Sequence, residues 1–266
     1  MNNNLENKVP LAGRRAIVTG ASRGIGRSIA LALAEAGADV AVSARSREEL
    51  EQVAAQIEEL GRQSLVVTCD VTDPEAVNRM ATQVVEAFGG VDILVNNAGV
   101  AGSHKFLNHP DELWHRMLAI NLTAVYYVTK AFVPSLIEQG SGRIITIASI
   151  AAKSGAPYIA AYTASKHGVL GLTRALAAEL VKHNITVNAI CPAYVDTPMT
   201  DAAIANITAR TGMSEEAALQ TLENTSPQQR LIEPEEVAAL TVYLACDVSK
   251  GITGQAINVD GGAVMY

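Results

Sequence analysis

Arg15–Ala36 reads RAIVTGASRGIGRSIALALAEA, and it holds three pieces of structure in one run. Arg15–Thr19 (RAIVT) has the short, β-branched pattern of a strand, while Ile25–Ala36 repeats apolar residues at helical spacing. Between them, Gly20, Gly24 and Gly26 sit in Thr19-Gly20-Ala21-Ser22-Arg23-Gly24-Ile25-Gly26. Glycines at such a corner let the backbone turn sharply and approach a ligand. The free N–H groups and positive end of the helix that follows then favour a pyrophosphate. A glycine-rich turn also serves as a plain tight turn. Its position after a first strand and before a helix makes it a dinucleotide-binding turn, with Gly20, Ser22, Arg23, Gly24, Ile25 and Gly26 as the contacts.

Outward from that unit the same alternation continues along the chain. Strand patterns recur at Asp39–Ser43, Ser64–Cys69, Ile93–Asn96, Gly142–Ala148, Ile185–Ile190 and Gln255–Val259, with helical patterns between them. The strands are almost continuously apolar, so both sheet faces are covered. Helix starts are legible at Ser46, with Glu49 three residues on as a capping box, and at Asp73-Pro74 and Glu233-Pro234. The expectation is an α/β fold: one doubly wound, Rossmann-type, seven-stranded parallel sheet with helices on both faces and ligands at the carboxyl ends of the strands. No Pro/Gly/Ser-rich linker divides residues 1–266, so they read as one domain with a flexible N-terminal stretch over 1–10. Thr197–Pro227 is too long for an ordinary connection; with Ser214–Glu223 helical inside it, it reads as a substrate lid.

Composition removes several function classes. With 20 basic and 27 acidic residues the formal net charge is -7, and no basic run exceeds Arg14-Arg15, so the phosphate-tracking stripe of a nucleic-acid binder is missing. The first residues lack a charged segment followed by an apolar one, and charges interrupt the apolar runs, so neither a secretion signal nor a membrane span is expected. Cys69, Cys191 and Cys246 are odd in number and lack CxxC spacing, while the 5 histidines form no HxH or HxxxH pair. No disulfide framework and no metal site is predicted, and a reducing cytoplasm fits.

The TGxxxGxG spacing resembles the short-chain dehydrogenase/reductase family, and the resemblance runs almost the whole length of the chain. Asp70-Val71 follows the third strand, where that family contacts adenine, and Asn96-Asn97-Ala98-Gly99 closes the fourth, which makes Asn97, Ala98 and Gly99 cofactor-side residues. The family implies hydride transfer between a carbonyl or alcohol and a nicotinamide, and a homotetramer. The end of the second strand decides which nicotinamide, because an acidic residue there would hold a ribose 2′-OH. This chain has Ser43-Ala44-Arg45 instead, and Arg23 lies in the glycine turn, so two cations are available for a 2′-phosphate. The cofactor expected is NADP(H). After the sixth strand the resemblance adds Pro192, Val195 and Thr197, the last matching the residue that bonds the carboxamide. Relatives usually read Pro-Gly there and this chain reads Pro192-Ala193, which puts the backbone geometry in question because alanine does not take positive φ cheaply.

Tyr162 and Lys166 lie four apart, on one helix face, and Ser149 ends the fifth strand thirteen residues earlier. Ketone reduction needs a proton donor at the oxygen. A phenol beside an ammonium supplies one, with its pKa drawn towards neutrality, while a serine hydroxyl steadies the developing charge. By resemblance, Asn121 completes the catalytic set as the helix asparagine that positions a water for proton relay to the lysine, and Tyr162 and Lys166 also contact the cofactor. Tyr158 has Tyr162, not lysine, four residues on and is assigned to the pocket wall, with Ala101–Leu107, Ile150–Tyr158 and Ala193–Tyr194. Those walls are mostly small or apolar and suit an uncharged ketone or the acyl end of a thioester. Pro134–Glu138 and Ala177–Leu180 are neutral or acidic, which tells against an acidic carrier-protein partner. An NADPH-linked carbonyl reductase leads. An NAD-linked alcohol or 3-hydroxy-acid dehydrogenase, or a non-catalytic nicotinamide-binding protein, are the alternatives. Long apolar helical stretches at Leu113–Ile137 and Tyr162–Val181 agree with self-association.

Overall fold

Seven strands form one all-parallel sheet in the order β3-β2-β1-β4-β5-β6-β7. They are β1 (Arg15–Thr19), β2 (Asp39–Ala44), β3 (Ser64–Thr68), β4 (Ile93–Asn96), β5 (Gly142–Ile147), β6 (Ile185–Pro192) and β7 (Ala256–Val259). The computed structural model describes residues 9–266; the rest of the expected flexible stretch, residues 1–8, lies outside the described residues.

Alternation along each strand assigns the two faces. Ala16, Val18, Val40, Val42, Ile93, Val95, Ile145 and Ile147 pack on one side against α1 (Gly24–Glu35), α2 (Arg47–Glu59) and α9 (Pro234–Ala245). Ile17, Ala41, Leu94 and Ile144 face the other way, against α3 (Pro74–Phe88), α5 (Ala124–Glu138) and α6 (Ala160–Leu180). The chain crosses from the β3 edge to the other side of β1 before forming β4. The resulting crevice lies at the carboxyl ends of β1 and β4.

Two helix starts match their sequence signals. Asp73 accepts the Glu75 N–H at 2.9 Å ahead of Pro74, and Glu233 and Glu236 form a reciprocal box that Arg230 clamps through Glu236. Ser46 departs from expectation: its hydroxyl makes no cap bond, so the start of α2 rests on Glu48 and Glu49 at its positive end. Thr197–Pro227 also holds more structure than expected. Besides α8 (Glu215–Glu223) it contains α7 (Pro198–Thr211), in which Thr200 is the one buried residue, so no apolar stripe announces it.

The helix α4 (Asp111–Leu118), a π turn at Ala119–Thr123 and α5 run on as 28 residues, long and apolar enough to cross a membrane by length and composition. Part of its apolar content is buried inside the fold. Val128, Phe132 and Leu136 are buried against the sheet residues Ile17, Leu94 and Ile144.

Candidate active site

The glycine turn is held in shape from the neighbouring strand. Gly20 has φ +64° and Gly24 φ +53°, and a Cβ on Gly26 would lie 2.2 Å from the Gly20 carbonyl oxygen, so nothing larger fits at that corner. Asn97 Nδ2 donates to the carbonyls of Thr19 and Gly20, each at 3.0 Å, and Thr19 Oγ1 accepts from the backbone of Asn97 and Ala98. The segment expected to touch the cofactor therefore also stitches β4 to the turn. Arg23, the residue before α1, makes no side-chain cap bond, so the first-turn N–H groups are left for an anion. That open cradle fits a dinucleotide pyrophosphate.

On the adenine side, Arg23 and Arg45 are exposed, and among the described residues neither pairs with a carboxylate. Asp39 sits at the opposite end of β2, where it bonds the Gln63 N–H and pairs with Arg62. Asp70 is turned into its own loop. The Thr72 N–H and hydroxyl both donate to one of its oxygens and hold its carboxyl below the usual carboxylate range. Val71 follows it, half-buried.

At the end of β5, Ser149 has an extended backbone, and its hydroxyl accepts the Ala151 N–H at 3.1 Å, the first bond of a short turn at Ile150–Ala152. That acceptance leaves the Ser149 O–H free to donate. The Ser149 hydroxyl is close to the phenol of Tyr162, in the first turn of α6. Lys166, a turn further on and buried, donates from Nζ to the Ile147 carbonyl at 2.9 Å and lies 5.7 Å from the centroid of the Tyr162 ring. Ser149, Tyr162 and Lys166 are thus brought together, with Lys166 Nζ close to Gly99.

The electrostatics depart from the expectation that the ammonium brings the phenol near neutrality. Burial raises the Tyr162 pKa, and the nearby Ser149 hydroxyl offsets only part of the rise. Burial also pushes Lys166 down to about 8. The reason is geometric: the ammonium is directed at the Ile147 carbonyl and faces the ring rather than the phenol oxygen, so both groups mainly feel the loss of water. Cys191, buried beneath them, has its thiol raised by the same cause and is a packed residue rather than a reactive one.

Asn121 sits in the π turn with its amide engaged by protein. Oδ1 accepts the Val100 N–H, and Nδ2 donates to the Val100 carbonyl at 2.9 Å and to Ser165 Oγ at 3.2 Å. The side chain ties the loop after β4 to the residue before Lys166, with both amide N–H bonds given to protein acceptors. At Pro192-Ala193 the alanine takes no positive φ. Its N–H bonds the Val259 carbonyl at 3.1 Å and continues the β6–β7 pairing. Val195 is buried against Ile232, and the Thr197 methyl lies 3.1 Å from where a Cβ on Gly24 would be. Two features of this edge carry no sequence signal: the left-handed backbone of Tyr158 (φ +71°), and a hydrogen bond from Asn206 to Ser103.

Comparison with known proteins gives a consistent result. A family model described as enoyl-(acyl carrier protein) reductase matches residues 20–264. The chain is 40% identical over 253 residues to the 3-oxoacyl-acyl-carrier-protein reductase FabG of Staphylococcus aureus, covering 95% of this chain and 98% of that one. Among solved structures, a variant of the actinorhodin polyketide ketoreductase with NADPH superposes with a TM-score of 0.92 at 40% identity, covering 95% of this chain and 98% of the other. Carveol dehydrogenase from Mycobacterium avium, in complex with NAD, superposes with a TM-score of 0.91 at 32% identity, covering 96% and 98%.

Proposed function

The chain belongs to the short-chain dehydrogenase/reductase family, a family of nicotinamide-dependent oxidoreductases, and on that premise we propose that it is an NADP(H)-dependent carbonyl reductase converting a ketone or 3-oxoacyl group to a secondary alcohol. The observation that carries this reading is the arrangement of Ser149, Tyr162 and Lys166 where β5 ends and α6 begins. A phenol there holds its proton at neutral pH and can give it to a carbonyl oxygen.

In this reading Tyr162 delivers its proton to the carbonyl oxygen, and the free O–H of Ser149 donates to the same oxygen as negative charge develops on it. Lys166, pinned by Ile147, holds ribose hydroxyls. Asn121 holds the loop after β4 through Val100 and the residue before Lys166 through Ser165, and from that position orients the water that relays protons to the lysine. The glycine turn from Gly20 to Gly26 holds the pyrophosphate, Asp70-Val71 borders the adenine, and Asn97–Gly99, Pro192, Val195 and Thr197 surround the nicotinamide. When bound, that ring supplies the hydride. Arg23 and Arg45 meet the 2′-phosphate in charge-assisted hydrogen bonds. Residues 197–227 cover the substrate, a small uncharged molecule or an acyl thioester, and four copies assemble.

The carveol dehydrogenase neighbour with NAD makes cofactor choice the deciding test. Purified protein assayed with NADPH and NADH against 3-oxoacyl thioesters, cyclic ketones and diketones is expected to give kcat/KM at least about tenfold higher with NADPH, and Arg45→Ala to erase most of that preference. A higher kcat/KM with NADH on the same substrate would overturn the NADP(H) assignment.

A further inference from the structure

Helix α7 meets the carboxyl edge of the sheet at two separated points. Thr197, just before it, lies against the glycine turn at Gly24. Nine residues on, Asn206 Nδ2 donates to Ser103 Oγ at 3.0 Å, on the loop that follows β4. Nine residues of helix span about 13 Å, so α7 lies across the ends of β1 and β4 rather than projecting away from them. Among the described residues this is the one side-chain hydrogen bond that joins α7 to that loop.

The next residue of the loop is tied on its other side. The His104 N–H donates to the Tyr158 carbonyl at 2.7 Å, and Tyr158 lies four positions before Tyr162. Tyr158 is held at φ +71°, a conformation that L-residues adopt mainly where the surroundings impose it. Adjacent residues 103 and 104 thus form a strap that connects the lid helix to the turn leading into α6, whose first turn carries Tyr162.

We propose that Asn206 and Ser103 form a latch that closes α7 over the substrate pocket and sets the largest ketone admitted, which makes both specificity-determining residues. The proposal rests on the carbonyl-reductase reading above. A neutral hydrogen bond in a half-buried position is weak enough to open and close in every cycle, but it is not free to break. A ketone that fits beneath the strap leaves it intact; a bulkier one opens it and loses about two- to tenfold in kcat/KM.

The test compares the parent with Asn206→Ala, Ser103→Ala and the double variant on a four-carbon 3-oxo ester and a bicyclic aryl ketone, with NADPH. Hydrogen exchange of the 199–211 amides is followed in parallel. Each single variant is expected to raise the bulky-to-small ratio of kcat/KM by about two- to tenfold, and the double variant no further, because one bond is lost in each case. Asn206→Asp, whose carboxylate can accept from the Ser103 hydroxyl in place of the amide's donation to it, should keep the parental ratio, and α7 amides should exchange faster only in the alanine variants. An unchanged ratio or unchanged α7 exchange in the alanine variants overturns the latch. If the parent reduces neither ketone, the functional reading has failed, and the exchange data still decide whether the Asn206–Ser103 bond closes the helix.

Discussion

Tyr162 and Lys166 oppose each other's usual chemistry, and their burial fixes the signs. Because Tyr162 is the proton donor in the proposed reaction, Tyr162→Phe should lower kcat by about a thousandfold while NADPH affinity, read by fluorescence titration, stays within a fewfold of the parent. Retained turnover would assign the acid to another residue. Lys166 has a folded pKa of about 8 against an ordinary 10.5. Below about pH 8 the fold carries the cost of a buried ammonium. Between about 8 and 10.5 the unfolded chain holds more protons than the folded one, so this group makes stability rise with pH. Above pH 9 the raised thiols of Cys69 and Cys191 act the other way, since the folded state keeps protons that the unfolded state gives up. The clean window is therefore pH 8 to 9. Urea unfolding should find Lys166→Met more stable than the parent at pH 7, with the gap narrowing by about 1 kcal/mol from pH 8 to 9. A gap independent of pH would mean that the lysine is not desolvated.

The β1–turn–α1 unit shows where sequence reading succeeds at the level of elements. β1 has the bounds its β-branched run predicts, and the turn glycines are forced by contacts a Cβ would make. Gly26→Ala places a methyl 2.2 Å from the Gly20 oxygen and 2.4 Å from Asn97 Nδ2, both parts of the stitched corner. It should cost about 1–3 kcal/mol of stability by thermal or urea unfolding and weaken NADPH binding by at least about tenfold through the distorted cradle. Wild-type values for both would show that the turn is loose. The strands, and the helical spacing that pairs Tyr162 with Lys166, were legible because apolar periodicity and fixed offsets are local. α7 was not, because its residues face solvent and the pocket rather than a core. The Tyr158 conformation and the Asn206–Ser103 bond were not, because they join segments far apart in the chain. The direction of the Tyr162 shift failed for a related reason. Four-residue spacing places an ammonium near the phenol, but only the fold reveals that the Ile147 carbonyl takes it.

For the whole molecule, the surface of α5 and α6 bears on assembly. Tyr126, Pro134 and Ile137 are exposed along one side of α5, while Gly171, Ala175 and Ala178 leave a low ridge of small residues on the exposed side of α6. A largely apolar stripe, interrupted by Lys130 over the Tyr126 ring, together with a shallow small-residue face lets two copies of the same surface approach closely, as a two-fold contact requires. Such a face has no role in the protomer's own core, which Val128, Phe132 and Leu136 already fill from the opposite side of α5. Tyr126→Glu combined with Ile137→Glu should therefore leave the protomer's circular dichroism unchanged, since these side chains are 45% and 37% exposed within it. The same pair places charges in a desolvated contact, so light scattering after size exclusion should show the parent at the mass of four chains and the variant at two or one. A variant that retains four chains would move the assembly surface elsewhere. A parent that runs as a single chain would leave the stripe without a partner and the proposed tetramer without support.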